Sequence, residues 1–432
     1  MTQSLDNSSW HLSPRWRLVR GGKPSLVGPD EERLPLNPLQ AEILSEGILR
    51  FPRALNSDAL LSILVWAKGL LMKRVLVPAY LSSGKRRRPD AEDFYIGAFT
   101  GVCRKLGVSE LMPKVREEIL AWSGTVLRQP LTASREYLPS RPALCLDILG
   151  GGDRSVRLAV DCRDPLLTAW ENISLARRLF ERRLVCGRGI FDRICARVFK
   201  DPSLFTSPYV KYLHPAIEVL PNGSRLSAYW NLGRTPDRAT LWDRALGILE
   251  ALGGRTDRLA RFRGRFGDAA QTELLGLTFS EGRLPILKVY AMFDGFDGHH
   301  LKETLALEGC RTTGHPLLDV FGRIERLGVM EGKNVGIVSL YNPLGAGHDA
   351  GIKIHFNLRD GFSRKLGMAE TLAILTGGLR RPSACPLRLP DRLTLPNGRT
   401  TRLVAHTLSF MLSPGKGLSK ITLYVNFSPG RP

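Results

Sequence analysis

The chain has 432 residues, 43% of them hydrophobic, and a formal net charge of +21. That length and apolar content exclude a disordered or fibrous chain and leave room for one large domain or two or three ordinary ones. The charge calls for an anionic partner, whether nucleic acid, membrane surface or phosphorylated small molecule, without choosing among them.

Residues 1–35 are polar and rich in Pro and Gly, the composition of an extended arm, and their opening lacks the apolar run of a signal peptide. Residues 36–135 form an N-terminal helical region, with helical patterns at about 37–50, 57–74, 91–105 and 110–128. The most apolar run, Ala59 to Tyr80, is interrupted by Lys68, Lys73 and Arg74, so it reads as a packed helix and not a membrane span. The basic run Lys85 to Arg88 in "SSGKRRRPD" is better read as a solvated loop than as a nucleic-acid site. Seven cysteines, an odd number without CxxC or Cys/His pairs, predict free thiols in a reducing, cytoplasmic compartment and argue against structural zinc.

Residues 136–432 have a different texture. Runs of apolar period two come in pairs joined by turn residues: "ALCLDIL" with "SVRLAVDCR", "AIEVL" with "RLSAYWNLG", and "LGLTFS" with "ILKVYAMF". "VGIVSLY" with "GIKIHFNL" and "VAHTLSFML" with "LSKITLYVNF" complete five predicted hairpins and ten antiparallel strands. Between them lie helical patterns. "PLLTAWENISLARRLFERRL" and "GIFDRICARVF" follow the first pair, and "TLWDRALGILEALGG" and "RLARFRGRFGDAAQTEL" the second. "GHHLKETLALEG" and "PLLDVFGRIERLGVM" follow the third, and "KLGMAETLAILTGGL" the fourth. A unit of two helices and a hairpin thus recurs about five times along the chain.

The second strand of each pair has one apolar face, such as Val156, Leu158 and Val160, or Ile421, Leu423 and Val425. The other face carries Arg157; Arg225, Ser227, Tyr229 and Asn231; Lys288, Tyr290 and Met292; Lys353, His355 and Asn357; and Lys420, Thr422, Tyr424 and Asn426. Amphipathic helices need an apolar surface to cover, which puts them on the first face. An open sheet would leave the second face in water. A closed sheet would turn it inward, and ten strands leave room for a ligand where eight fill the middle with side chains. Arg157, Arg225, Lys288, Lys353 and Lys420 recur on corresponding strands and converge if the sheet closes. Such a cluster of cations repels itself unless it meets an anion. The expected fold is therefore α+β, a closed ten-stranded antiparallel β-barrel surrounded by α-helices.

Helix–helix–hairpin repeats with Lys-x-Tyr on inner strands resemble the soluble aromatic prenyltransferases of the ABBA, or PT-barrel, fold, and most of all their dimethylallyltryptophan synthase-type branch. The resemblance spans about residues 110–430. It implies transfer of an allylic prenyl group from its diphosphate to an electron-rich aromatic acceptor such as an indole, with dimethylallyl diphosphate or a longer prenyl diphosphate as co-substrate. It implies no metal requirement, small-molecule partners without nucleic acid or membrane, and a monomer or homodimer. Carried over by position, Arg157, Arg225, Lys288, Lys353 and Lys420 would bind diphosphate, and Tyr229, Tyr290 and Tyr424 would shield the allylic cation. Asp147 in "LCLDIL" stands nearest the family's indole-binding glutamate, and His355 could remove the final proton. The chain departs from the family at Ser227, where lysine is frequent, at Ile286, where arginine is frequent, and at Lys353 and His355, where Gln-x-Tyr is common. A basic nucleic-acid-binding protein and a non-catalytic barrel carrier of an apolar ligand are the alternatives.

Other motifs carry less. "DGFDGHH" holds Asp294, Asp297, His299 and His300 but lies where a helix needs a cap, which is the favoured reading. "GGGDR" lies in a hairpin turn with no helix after it, and "GAGHDAGIK" lacks the Gly-Lys-Ser/Thr ending of a P-loop.

Overall fold

The computed structural model describes residues 9–13, 16–19, 25–27, 33–35, 91–127, 143–149, 155–160, 162, 168–205, 210–233, 237–279, 285–311, 314–326, 336–344, 351–357, 392–395, 398 and 400–429. The helical patterns at 37–50 and 57–74, the Lys85–Arg88 run, the "GGGDR" turn and "KLGMAETLAILTGGL" lie outside them. The stretch read as an extended arm carries four short strands, β1 (Ser9–Ser13), β2 (Trp16–Val19), β3 (Ser25–Val27) and β4 (Arg33–Pro35), paired antiparallel in chain order as their own sheet.

The main sheet runs from β5 (Ala143–Leu149) and β6 (Val156–Ala159) through β7 (Leu213–Leu220), β8 (Gly223–Asn231), β9 (Ala270–Phe279) and β10 (Ile286–Phe293). It continues with β11 (Gly336–Pro343), β12 (Ile352–Asn357), β13 (Arg392–Thr394), β14 (Thr400–Ser413) and β15 (Gly417–Pro429). Each strand from β5 to β12 pairs with the next, β15 pairs with β5, and β14 pairs with both β15 and β12. Ten strands thereby close into a barrel, as the hairpin pattern predicts. The eleventh, β13, is an addition the sequence pattern did not reveal. It pairs with Thr400–Arg402 at the start of β14, while Thr407–Leu412 further along the same strand pairs with β12.

Outside the barrel stand α1 (Ala91–Lys105) and α2 (Met112–Leu127), then α3 (Ala169–Arg183), α4 (Arg188–Val198), α5 (Arg238–Ala251), α6 (Asp257–Phe266), α7 (Gly298–Leu307) and α8 (His315–Arg326). Their apolar stripes and the outer face of the barrel form one core. Trp230 of β8 is fully buried, meets the ring of Phe191 of α4 at a 45° tilt with centres 5.6 Å apart, and donates its indole N–H to Cys195 Sγ at 3.3 Å. Trp242 of α5 donates to the Ala270 carbonyl of β9 at 3.1 Å, and Phe99 of α1 meets Phe427 of β15 edge-on at 4.9 Å. Val156, Leu158, Leu287, Val289, Ile352, Ile354, Ile421 and Leu423, the apolar face read from the sequence, all lie in this core.

One predicted helix needs correcting. The pattern "RLARFRGRFGDAAQTEL" predicts helix through to Leu274, but α6 ends at Phe266 and β9 begins at Ala270. The cause is a β-bulge: Tyr290 pairs with Leu274 while Ala291 pairs with Thr272, leaving Glu273 as an extra residue. The bulge shifts the phase of the alternation, so the buried pair Ala270 and Thr272 is out of step with the buried pair Leu275 and Leu277, and no single period-two run marks the whole strand.

Candidate active site

The first strand of each hairpin (β5, β7, β9, β11 and β14) runs toward one end of the barrel, and the second (β6, β8, β10, β12 and β15) runs back from it. On the returning strands the cations come first: Arg157 in β6, Arg225 in β8, Lys288 in β10, Lys353 in β12 and Lys420 in β15. Aromatic residues follow two or four positions deeper, namely Tyr229, Tyr290, His355 and Tyr424. Period-two geometry puts both sets on the same inward face. The lumen thus has a charged layer toward the hairpin turns and a ring layer beneath it.

All five predicted cations line one cavity of about 180 Å³, together with Ala216, Glu218, Ser227, Tyr229, Thr278, Tyr341 and Met411. The polar face of the sheet turns inward rather than toward open water. Lys288 Nζ donates to Thr278 Oγ1 at 3.1 Å and lies 5.4 Å from the centre of the Tyr341 ring. Thr278 Oγ1 is in turn 2.7 Å from Ser227 Oγ. Lys353, only 4% exposed, donates to Thr422 Oγ1 at 3.1 Å and sits 5.6 Å from the Tyr424 ring centre. Burial, and then the charges of Arg157 and Lys420, push the Lys288 ammonium down to about 7, with Glu218 pulling the other way.

Glu218, on β7, is the one carboxylate among the described lining residues. It stands directly between Arg157 on β6 and Arg225 on β8 in the pairing register. Its Oε1 accepts from Arg157 Nη2 at 3.2 Å and from Ser155 Oγ at 3.1 Å, and its Oε2 lies 3.5 Å from Arg225 Nη1. Burial alone would raise this carboxyl, but Arg157, Ser155 and Lys420 outweigh it and hold the group below the usual carboxylate range.

The rings form a continuous belt. His214 stacks on Tyr229 at 5.2 Å with planes 14° apart; Tyr229 lies 6.0 Å from Tyr290, Tyr290 5.7 Å from His355, and His355 6.2 Å from Tyr424. Burial raises the phenols of Tyr229, Tyr290 and Tyr424, so all three are neutral near pH 7. Burial, reinforced by Lys353 and Lys288, holds the His355 imidazole well below its ordinary value, so it is also neutral. Its Nε2 lies 2.7 Å from Ser339 Oγ. Gly276 lies across from both Tyr229 and Lys288 in the ladder. A Cβ there would come within 2.9 Å of the Tyr229 ring and 3.2 Å of the Tyr290 ring, so only glycine lets the two rings close over this strand.

Asp147 falls in β5 opposite Thr422 of β15; its side chain lies outside the described set. Asp297, by contrast, caps α7, its Oδ1 accepting from the His300 backbone N–H at 2.9 Å. Among the described residues no group of three or more His, Cys, Asp or Glu side chains is placed to hold a metal ion. Nor is any described helix long and apolar enough to cross a membrane.

The sequence reading missed Glu218, Tyr341 and Thr278 because it followed only the second strand of each hairpin. Glu218 alternates with Ile217 and Val219, and Tyr341 with Leu340, so the same period-two reading of the first strands exposes both. It also missed Arg258 of α6, which ties the outer layer to the lumen wall. Its guanidinium donates to Glu308 Oε2 at 2.6 Å, to the Tyr341 carbonyl at 2.6 Å and to the Gly351 carbonyl at 3.0 Å.

An antiparallel ten-stranded barrel, helices outside and a cationic, aromatic lumen within, is the PT-barrel or ABBA fold. Solved structures bear this out. PriB, in a binary complex with product diphosphate, superposes with a TM-score of 0.55 at 17% identity over 78% of this chain and 96% of its own. The 6-dimethylallyltryptophan synthase of Micromonospora olivasterospora, in complex with DMASPP and Trp, gives a TM-score of 0.58 at 15% identity over 80% of this chain and 100% of its own. AnaPT from Neosartorya fischeri gives 0.54 at 13% identity, covering 80% of this chain and 97% of its own. At such identities the likeness establishes the fold. No family model and no curated protein sequence matches the chain.

Proposed function

We propose that the chain is an aromatic prenyltransferase. It transfers a dimethylallyl or longer allylic group from its diphosphate to an electron-rich aromatic acceptor, an indole or tryptophan derivative before others. The observation that carries this reading is the convergence of five cationic side chains on one cavity directly above a belt of neutral rings. It is the pairing a departing diphosphate and an allylic cation both need. The bound molecules of the neighbours support it: product diphosphate in PriB, and DMASPP with Trp in the 6-dimethylallyltryptophan synthase.

In this reaction the allylic C–O bond breaks, and its electron pair leaves with the diphosphate oxygen. A ring carbon of the acceptor donates a π pair to form the new C–C bond. The ring then loses a proton, restoring aromaticity and balancing the charge. Arg157, Arg225, Lys288, Lys353 and Lys420 stabilise the negative charge growing on the leaving oxygens, the kind of preorganised electrostatic help that is the largest catalytic contribution in most enzymes. Arginine grips phosphate oxygens in pairs, while lysine acts as a compact charge. Tyr229, Tyr290 and Tyr424 present ring faces to the cation, each worth about 0.5–2 kcal/mol, and exclude the water that would quench it. His355 replaces a fourth ring in this belt; being neutral, it also has a free electron pair to receive the arenium proton, with Ser339 holding the imidazole. Asp147 is assigned to the acceptor N–H. The cation cluster supplies the charge a divalent metal would otherwise bring, so turnover is expected without one.

The test is incubation with dimethylallyl diphosphate and tryptophan, and with a panel of indoles and phenols, in the presence and absence of EDTA. Diphosphate release with a prenylated product in both conditions supports the proposal. Salt-sensitive retention of DNA or RNA with no turnover of any allylic diphosphate sinks it in favour of a nucleic-acid-binding protein.

A further inference from the structure

The Glu218 carboxylate is out of place by simple electrostatics. It lies in the wall of a cavity whose other described charged groups are all cations, where an incoming diphosphate meets it as a like charge. A cross-strand ion pair that only stabilised the sheet would need one arginine. Glu218 has two, one on each neighbouring strand, with Ser155 as a third donor. Each carboxylate oxygen engages a different guanidinium, so the group holds Arg157 and Arg225 side by side on one wall. It is also not sealed away, since its side chain keeps 16% of its exposure and those of Arg157 and Arg225 keep 25% and 31%.

We propose that Glu218 is a built-in counter-ion: it spans Arg157 and Arg225 when no anion is bound, and competes with diphosphate for them when one is. The inference rests on reading the lumen as a diphosphate site. Glu218 is a positioning residue that acts through the two arginines. Without it, the five cations would face one another across a small cavity with no carboxylate among its described lining residues to offset them. With it, the arginines are preorganised for a second pair of oxygens, and the affinity for the anion is held down. That matters most after the reaction, when the diphosphate product carries more charge than the ester that entered. A site built only of cations would retain it. Glu218 reclaims the arginines as the product leaves, so that release keeps pace with chemistry.

This assigns opposite signs to two kinds of variant, which an ordinary structural role does not. Glu218→Gln keeps the shape and two hydrogen-bonding atoms but removes the charge. A unit charge a few ångströms from the anion, in a partly buried site, changes its affinity by about tenfold. The test is titration calorimetry with inorganic pyrophosphate at pH 6, where the Lys288 ammonium keeps most of its proton, together with product-inhibition kinetics. Glu218→Gln is expected to bind pyrophosphate about tenfold tighter than the unsubstituted chain and to be inhibited at correspondingly lower concentration. Glu218→Asp keeps the charge but not the reach, and is expected to bind no tighter than the unsubstituted chain. Arg157→Gln is expected to weaken binding at least tenfold. If Glu218→Gln folds with an unchanged far-UV spectrum yet binds pyrophosphate equally or more weakly, the counter-ion role is overturned while the anion site stands. If Glu218→Gln fails to fold, Glu218→Asp decides, since tighter binding there overturns the role and weaker or equal binding upholds it. If no form of the chain binds pyrophosphate, the reading of the lumen falls, and this inference with it.

Discussion

Lys288 allows the anion site to be tested through pH. In the free protein burial and two neighbouring cations push its ammonium down to about 7. A bound diphosphate places negative charge beside it and raises that value again. Binding therefore takes up a proton, and affinity is full below about 7 and lost as the pH rises through it. At pH 6 about nine-tenths of the free protein carries the proton, and at pH 8.5 about one-thirtieth does. Pyrophosphate affinity should thus fall about thirtyfold across that window through Lys288 alone. Pyrophosphate titrates as well, and Lys288→Arg supplies the control, because arginine stays charged throughout. The quantity to measure is the ratio of the two affinities, by calorimetry, at half-unit steps from pH 6 to 8.5. A thirtyfold decline in the ratio, with proton uptake visible as a dependence of the binding heat on buffer ionisation, is the expected result. A ratio constant to within twofold would refute the arrangement of Lys288, Arg157 and Lys420 on which the reasoning rests.

Lys288→Ala should lower kcat at least a hundredfold with little change in melting temperature, since it removes charge stabilisation at the leaving group and only one hydrogen bond, to Thr278. Gly276→Ala should displace the Tyr229 and Tyr290 rings and reduce kcat/KM about tenfold; an unaltered value would mean that the rings do not need this close approach. Arg258→Ala leaves the Glu308 carboxylate, 4% exposed, and two carbonyls without their donor, and should destabilise the fold by about 3–5 kcal/mol in urea unfolding. Asp297→Ala should cost about 1 kcal/mol through the lost cap of α7 and leave activity intact, which separates capping from any role in catalysis.

Much of this architecture is legible in the chain because one physical rule writes it repeatedly. A strand covered by helices on one side and facing a polar lumen on the other must alternate, and the returning strands do so, β8 along its length and β15 from Lys420 onward. Their cations and tyrosines are visible for the same reason. The rule fails where the backbone departs from it. The extra residue at Glu273 breaks the alternation of β9 and hides the first part of the strand. β13 has three residues, too few to show a period. Arg258 escapes for another reason: its role depends on carbonyls of Tyr341 and Gly351, and acceptors on the main chain leave no mark on the residue pattern.

The ring of strands is closed by its last hairpin. β14 and β15 sit between β12 and β5, joining residue 422 to residue 147, and they bring Lys420 and Tyr424 with them. Synthesis proceeds from the N-terminus, so eight strands can be made and paired in order while the wall still has a gap as wide as one hairpin. A nascent chain halted before residue 400 has two bare sheet margins and no chamber, a species prone to pair with its own kind. Closure of the chamber therefore arrives in a single event, the insertion of the hairpin from Thr400 to Pro429, rather than growing as the chain lengthens.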